Sequence, residues 1–389
     1  MKIARIIMLI MTLMLSVAGY ADIVEIDGLG YNLDTEKKEA VLNRMVEGNT
    51  ATEIVIPETV VYENVSYPVK SIWMLAFVNC TNITSVTIPN TVEKICDCAF
   101  SGCTGLVSVN IPESTKSIGQ WAFSGCTSLK SIVIPKSVEK IEDAAFKECG
   151  SLESIVVSSE NPYYDSREGC NAIIETSTNK LIVGCKNTIV PNFVTAIGRY
   201  AFCGCHDLES ITLPNSLTNI DIYGFYGCNK LKNIILPESL KELGMFSFSN
   251  CTELTSVTIP ASVNRIGGNS FEGCTNLSTV YCLSKFPPFG EAYAFDYIFS
   301  KELHILKGTT NNYINRGYPW SRFKIIDDID PVTLTVIEGG GASDDISTGI
   351  ESVTNSVTTA SDKIFSVSGQ RLGKPVKGVN IIKGKKVVY

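Results

Sequence analysis

The sequence predicts a repeat solenoid, mostly β with minor helix, in which each 23-residue coil supplies one parallel β-strand joined by short turns or helical segments. Three observations predict it. Phe77, Phe100, Phe123 and Phe146 fall 23 residues apart, and Phe202, Phe225, Phe248 and Phe271 do so again. Each Phe has a Cys three residues on: Cys80, Cys103, Cys126, Cys149, Cys205, Cys228, Cys251 and Cys274. Pro89, Pro112 and Pro135, then Pro191, Pro214, Pro237 and Pro260, keep the same period. A single such coil cannot bury both of its sides, so stacked neighbours must close a continuous core.

Within one coil the periods assign the elements. Ile132 and Ile134 alternate with Ser131 and Val133, the signature of a strand with one buried face. Pro135 ends that strand because it cannot donate to a ladder. Val138 and Ile141 return apolar groups to the core, and Ala122-Phe123 opens a turn closed by Gly125 and Cys126. Strands of successive coils then pair in parallel at about 4.8 Å.

The remaining segments follow in chain order. Residues 1–21 carry Lys2 and Arg5, an apolar run and small residues before Ala21, the pattern of a secretory signal peptide. Its apolar run is shorter than the roughly 20 residues a membrane span needs, and no later apolar stretch is long enough. Residues 22–70 are expected to form an N-terminal cap and an irregular first coil, and residues 71–281 the solenoid. Phe146 and Phe202 are 56 residues apart, one unit plus 33, which places an island at 158–186. In it, residues 172–175 and 181–183 flank 176–180 as a β-hairpin. Residues 282–327 lose the repeat but keep Trp320 and Phe323, as the covered end of a solenoid requires. Residues 328–361 read as a Gly/Ser/Thr-rich flexible linker. Residues 362–389 carry net charge +6, leaving −13 for the rest, and read as three short strands at 364–367, 379–382 and 386–389.

The repeat A-F-x-x-C-x-x-L-x-x-I-x-I-P-x-x-V-x-x-I, read from Ala122 to Ile141, resembles the BspA-type leucine-rich repeat of bacterial cell-surface proteins. The resemblance covers about residues 50–281, and the stretch 171–185 resembles an island common in that family. It implies a secreted or surface-exposed, non-catalytic protein acting as an adhesin or host-interaction module. The tail resembles a shortened C-terminal sorting domain of the type IX secretion route, with S-G-Q-R-L at 368–372 and K-G-V-N-I-I at 377–382. It departs from that pattern in length and at Asn380, where an aromatic is usual. That resemblance implies the outer surface of a Gram-negative bacterium.

The chemistry-bearing residue types point away from catalysis. Only two histidines occur, His206 and His304, too few for zinc clusters or a Ser/His or Cys/His pair to be a natural reading. His206-Asp207 sits in a column that holds Thr104, Thr127 and Asn229 elsewhere, a surface loop position. The C-x-C pairs Cys96/Cys98 and Cys203/Cys205 lack a second matching pair, so no metal is expected. No phosphate loop is present, no cofactor is expected, and net charge −7 argues against nucleic acid. The eight periodic cysteines are expected to be an unpaired thiol ladder, since parallel Cβ vectors suit a disulfide poorly. Cys170 and Cys185 are the pair best placed to bridge.

What remains is recognition. The outward strand columns begin Ser85, Ser108, Ser131, Ser154, Ser210 and Thr87, Asn110, Val133, Val156, Thr212, ending near Tyr281. A broad, weakly polar floor suits a protein partner better than a small ligand. The island adds Tyr163, Tyr164 and Arg167, of residue types enriched at hot spots. The candidate contact residues are therefore Tyr163, Tyr164, Arg167, Ser131, Ser154, Ser210 and Tyr281. The expected partner is a host or matrix protein, and the alternative is a glycan in a surface nutrient-uptake system.

Overall fold

The structure is a computed structural model that describes residues 23–291, 293–295 and 301–334, together with four strands of the tail. It divides into two compact units, residues 1–177 with 183–187 and residues 178–182 with 188–389. Both are β-solenoids of stacked coils.

The first unit opens with an antiparallel meander, Val24–Ile26, Leu29–Asp34 and Glu39–Met45. Glu39–Met45 then pairs in parallel with Val65–Ile72, and the ladder continues through Lys94–Ile95, Ser117–Ile118 and Lys140–Ile141. On the other side of the coil, Glu53–Val55, Ser85–Thr87 and Ser108–Val109 pair in parallel, as do Ser131–Ile134 and Ser154–Val157. The extra residues of the first coil are more ordered than the sequence suggests. Thr59–Tyr62 and Val65–Ile72 form an antiparallel hairpin, turned by Glu63 and Asn64 at φ 50° and 62°. Two successive positive φ values give the tight turn whose twist matches paired strands.

Between the two sheets lies the core. Phe77, Phe100, Phe123 and Phe146 stack with ring centroids 5.0, 5.2 and 5.4 Å apart and planes within 4°. The turn carrying each ring is itself a ladder: Phe77, Phe100 and Phe123 donate their amides to Ala99, Ala122 and Ala145 one coil on. Turns, not helices, therefore fill this side of the coil. The thiols complete it, with Cys103, Cys126 and Cys149 Sγ 3.0, 3.3 and 3.1 Å from the carbonyls of Phe77, Phe100 and Phe123.

In the second unit the parallel strands Lys180–Val183, Ala196–Ile197, Asn219–Ile220, Glu242–Leu243, Arg265–Ile266 and Phe289–Gly290 form one sheet. Ser256–Ile259, Thr279–Cys282, Glu302–Leu306 and Lys324–Ile329 form the other. Its phenylalanine column is one ring longer than the sequence period shows. Phe295 stacks on Phe271 at 5.0 Å, after Phe202, Phe225 and Phe248. Residues 282–327 thus extend the solenoid as well as capping it. Helix Thr310–Arg316 and buried Trp320 close its end, and the indole donates to the Pro288 carbonyl at 2.9 Å.

The tail strands are Ile364–Ser366, Arg371–Leu372, Val379–Ile382 and Lys385–Val388, one more than the sequence reading has, in an antiparallel sheet. Residues 1–22, which hold the expected signal peptide, and residues 335–361 of the expected linker lie outside the described residues. No disulfide joins the fourteen cysteines, so Cys170 and Cys185 do not bridge, and Cys185 Sγ instead accepts from Asn171 Nδ2 at 3.2 Å. Among the described residues, no helix is long and apolar enough to cross a membrane.

Candidate functional site

In the first unit the island is built from side chains that stand in for backbone. Asn161 Nδ2 donates to the carbonyls of Pro135 at 2.8 Å and Val138 at 3.0 Å, while its Oδ1 accepts the amides of Tyr163 and Tyr164. The Tyr164 hydroxyl accepts the Ile141 amide at 2.8 Å, at the last strand of its sheet. Ser166 Oγ accepts the Val157 amide at 2.9 Å. Asn171 Oδ1 accepts the Ile155 amide at 2.6 Å, and its Nδ2 donates to the Glu153 carbonyl at 2.8 Å. These bonds satisfy strand-edge groups of Lys140–Ile141 and Ser154–Val157 that the next coil would otherwise take. The island finishes both sheets of this unit.

That geometry corrects one expected contact residue. Tyr164 is only 5% exposed, and burial pushes its phenol above the usual tyrosine range, so it serves the fold. Tyr164–Asp165 is a strand paired antiparallel with Ile173–Glu175, so adjacent side chains alternate in direction. Tyr163 is the exposed member, at 46%. Arg167 lies on the surface, its guanidinium on Asp165 Oδ2 at 2.9 and 2.5 Å. Ser131 and Ser154 both face solvent in the paired strands, beside exposed Val133 and Val156.

In the second unit Ser210 is exposed but lies outside any strand, so the outward columns are interrupted there. Tyr281 is half-buried, with its ring 4.9 Å from the His304 imidazole. His304 is a residue the sequence reading passed over. Its Nδ1 is 3.0 Å from both carboxylate oxygens of Asp328, and its Nε2 is 3.7 Å from Glu302, which pairs with Lys324 at 2.7 Å. Tyr281 is paired with His304 across strands, 23 residues apart. The signal was the same period, continued past the last Cys and Pro markers.

A second group also escaped the sequence reading. The residue two before each stacked Phe adopts positive φ, and in this unit it is Tyr200, Tyr223, Phe246, Asn269 and Tyr293. Tyr200, Tyr223 and Phe246 stack at 5.0 and 4.8 Å, with Tyr226 edge-on to Tyr223 and exposed Met245 alongside. Aromatic, Met and Arg residues, here including exposed Arg199, are the types enriched at the centres of protein interfaces.

The buried ladder thiols are not poised as nucleophiles. Burial pushes the Cys103 and Cys126 thiols far up, and Cys228 and Cys251 likewise, which keeps them protonated. Among the described residues, no group of three or more His, Cys, Asp or Glu side chains is placed to hold a metal ion.

Comparison with known proteins agrees with this architecture. A model of the BspA type leucine rich repeat region matches residues 70–180 and 173–303. No curated protein matches the chain. Among solved structures, a leucine-rich repeat protein from Bacteroides ovatus is 28% identical, with a TM-score of 0.52 over 78% of this chain and 76% of that one. A leucine-rich repeat protein from Eubacterium ventriosum is 21% identical, with a TM-score of 0.51 over 81% and 89%. The pneumococcal vaccine antigen PcpA is 18% identical, with a TM-score of 0.50 over 78% and 98%. The last two speak to the fold alone. With more than half of its length matched and its Phe, Cys and strand columns stacked coil on coil, the chain belongs to the BspA-type leucine-rich repeat family.

Proposed function

We propose that the protein is secreted or displayed on the outer surface of a Gram-negative cell, where it acts as a protein-interaction module or adhesin. Its partner is a host or matrix protein. The observation that carries this reading is the kind of surface each unit offers. The first unit presents exposed Ser131, Ser154, Val133 and Val156 on flat paired strands, and Tyr163 and Arg167 on the island. The second presents Tyr200, Tyr223, Tyr226, Met245 and Phe246 on its turns, with Ser210 and Tyr281 on the outward columns. Broad surfaces with a few Tyr, Met and Arg anchors suit protein recognition.

The glycan alternative has less support. A sugar ring packs best on an open aromatic face. Here the Tyr223 ring lies between Tyr200 and Phe246, and Tyr281 lies against His304. Exposed Tyr163, and Tyr293 edge-on to Tyr318, are the platforms that remain for this reading. The basic tail sheet supports a role as a type IX sorting domain, since its strands follow the S-G-Q-R-L and K-G-V-N-I-I segments.

Binding of residues 22–389 to immobilised matrix proteins and to a glycan array tests the reading. Saturable binding to a protein, weakened at least tenfold by Tyr163→Ala with Arg167→Ala or by Tyr223→Ser with Tyr226→Ser, supports it. Binding confined to glycans, or turnover in hydrolase assays, overturns it. Point substitutions leave the fold intact, since Asn161, Tyr164, Ser166 and Asn171 of the island finish the two sheets and are kept.

A further inference from the structure

Among the described residues, two of the outermost strands lie in the same coil column, and their sequences match each other. Glu53–Val55 is the outermost strand of its three-stranded sheet, and Lys324–Ile329 the outermost of its four-stranded one, among the described residues. This contrasts with the other sheet ends of the first unit. There the antiparallel meander continues one sheet outside the coil columns and ends at Val24–Ile26, and Tyr164, Ser166 and Asn171 cap the edges reached by the island. An uncapped edge is a template for another strand.

Both open strands lie in the coil register. Glu53 heads the column Ser85, Ser108, and Lys324 ends the column Ser256, Thr279, Glu302. Laid side by side in that register, Lys324 meets Glu53, Ile325 meets Ile54, and Ile326 meets Val55. The three pairs are an opposite-charge pair, two core-column isoleucines and an outward apolar pair. Val55 is 72% exposed, more than Val133 or Val156 in the same column. A one-residue slip would set Lys324 against Ile54 and spoil all three pairs.

The charge pairing has precedents in the same molecule. Lys70 pairs with Glu93 at 2.7 Å and Lys116 with Glu139 at 3.3 Å, each across one coil spacing in the first unit. In the second, Lys324 already pairs with Glu302 at 2.7 Å. A Glu53 from another molecule would continue the alternation of Glu302 and Lys324.

We propose that a second copy of this chain is the occupant. Residues 324–326 of one molecule add in parallel to residues 53–55 of the next, in a head-to-tail contact. Such a contact is heterologous, so each copy retains one open edge and assembly proceeds by further addition. Only three residue pairs are involved, so the contact is weak in dilute solution and is favoured where copies are crowded on a surface.

Sedimentation velocity of residues 22–389 over a wide concentration range tests this. The expected result is a weight-average mass that rises with concentration and falls back when salt is raised. Glu53→Lys alone and Lys324→Glu alone should each weaken association about tenfold, since like charges then face each other. An equimolar mixture of those two variants should associate again, because each supplies the charge the other lacks, and so should the double variant. Both side chains changed, Glu53 and Lys324, are at the surface, and circular dichroism checks that each variant is folded. A monomer at every concentration overturns the proposal. So does association that either single reversal leaves unchanged, or that the mixture fails to restore.

Discussion

Replacing Tyr164 by Phe isolates the island's structural role. The ring is buried and stays buried in the variant, so apolar burial changes little. The loss is the phenol oxygen that accepts the Ile141 amide at 2.8 Å. That amide lies on the last strand of its sheet, in a part-buried position where water substitutes poorly. Leaving such a donor unpaired costs about 1–3 kcal/mol. For a denaturant slope of about 2 kcal/mol per molar in urea, the midpoint of the unit's transition falls by about 1 M. Hydrogen exchange locates the effect. The Ile141 amide should exchange faster in Tyr164→Phe, while the Phe123 amide, bonded to the Ala145 carbonyl, keeps its protection. Tyr163→Phe, on the exposed neighbour, should change stability by less than about 0.5 kcal/mol. The alkaline limb gives a second check. Burial raises the Tyr164 phenol, so the folded state holds its proton more tightly than the unfolded chain, whose value is about 10. Stability from this group is full below that pH and is lost as pH rises through the folded value, and Tyr164→Phe removes that loss. Unchanged stability together with unchanged exchange at Ile141 would refute the capping argument.

Three further outcomes are expected. Phe225→Ala empties the middle of a stack flanked by Phe202 and Phe248 and should cost about 3–5 kcal/mol, read from thermal or urea unfolding. Alkylation at pH 8 followed by peptide mass spectrometry should modify half-exposed Cys80 and Cys98 first. The ladder thiols Cys103, Cys126 and Cys228 should react only after denaturation, because burial raises all three and keeps the thiolate scarce. Gly244→Ala should destabilise the second unit by more than the roughly 1 kcal/mol of an ordinary glycine effect, because its Cβ would lie 2.6 Å from the backbone of Asp221 and Ile222 in the preceding coil.

Much of the architecture was legible because a solenoid writes its core once per coil. The Phe, Cys and Pro columns each mark one place in the coil, and the structure stacks Phe100 on Phe123 and sets Cys126 on the Phe100 carbonyl accordingly. The period became unreadable where one marker shifted. Phe295 follows Phe271 by 24 residues, without a Cys three positions on, yet its ring stacks like the others. The Thr59–Tyr62 hairpin was hidden because Glu63-Asn64 lacks the glycine that usually announces its turn. In the island the sequence displayed the right residues but not their directions. Tyr163 and Tyr164 are equivalent as letters, and strand alternation sends one outward and the other to the Ile141 amide. The side-chain caps Ser166 and Asn171 carry no periodic signal at all, since each answers a particular unpaired edge group.

The positive-φ column shows how such a repeat can hold a binding surface without breaking its clock. Its backbone conformation favours Gly or Asn, and Asn269 follows that rule. Tyr200, Tyr223 and Phe246 violate it in three consecutive coils, each at a backbone cost of about 1–2 kcal/mol. Stacking at 5.0 and 4.8 Å offsets part of that cost, at about 0.5–1.5 kcal/mol per pair. Stability alone does not account for the choice, because the buried phenylalanines already supply a stacked column in the same coils. The first unit carries Leu75, Cys98, Trp121 and Ala144 at the equivalent places, with no run of stacked rings. The fold therefore tolerates many residue types at this position and does not itself require aromatics. A run of half-exposed rings confined to one unit, beside Met245 and Arg199, is what a surface shaped for a protein partner would retain against that backbone cost.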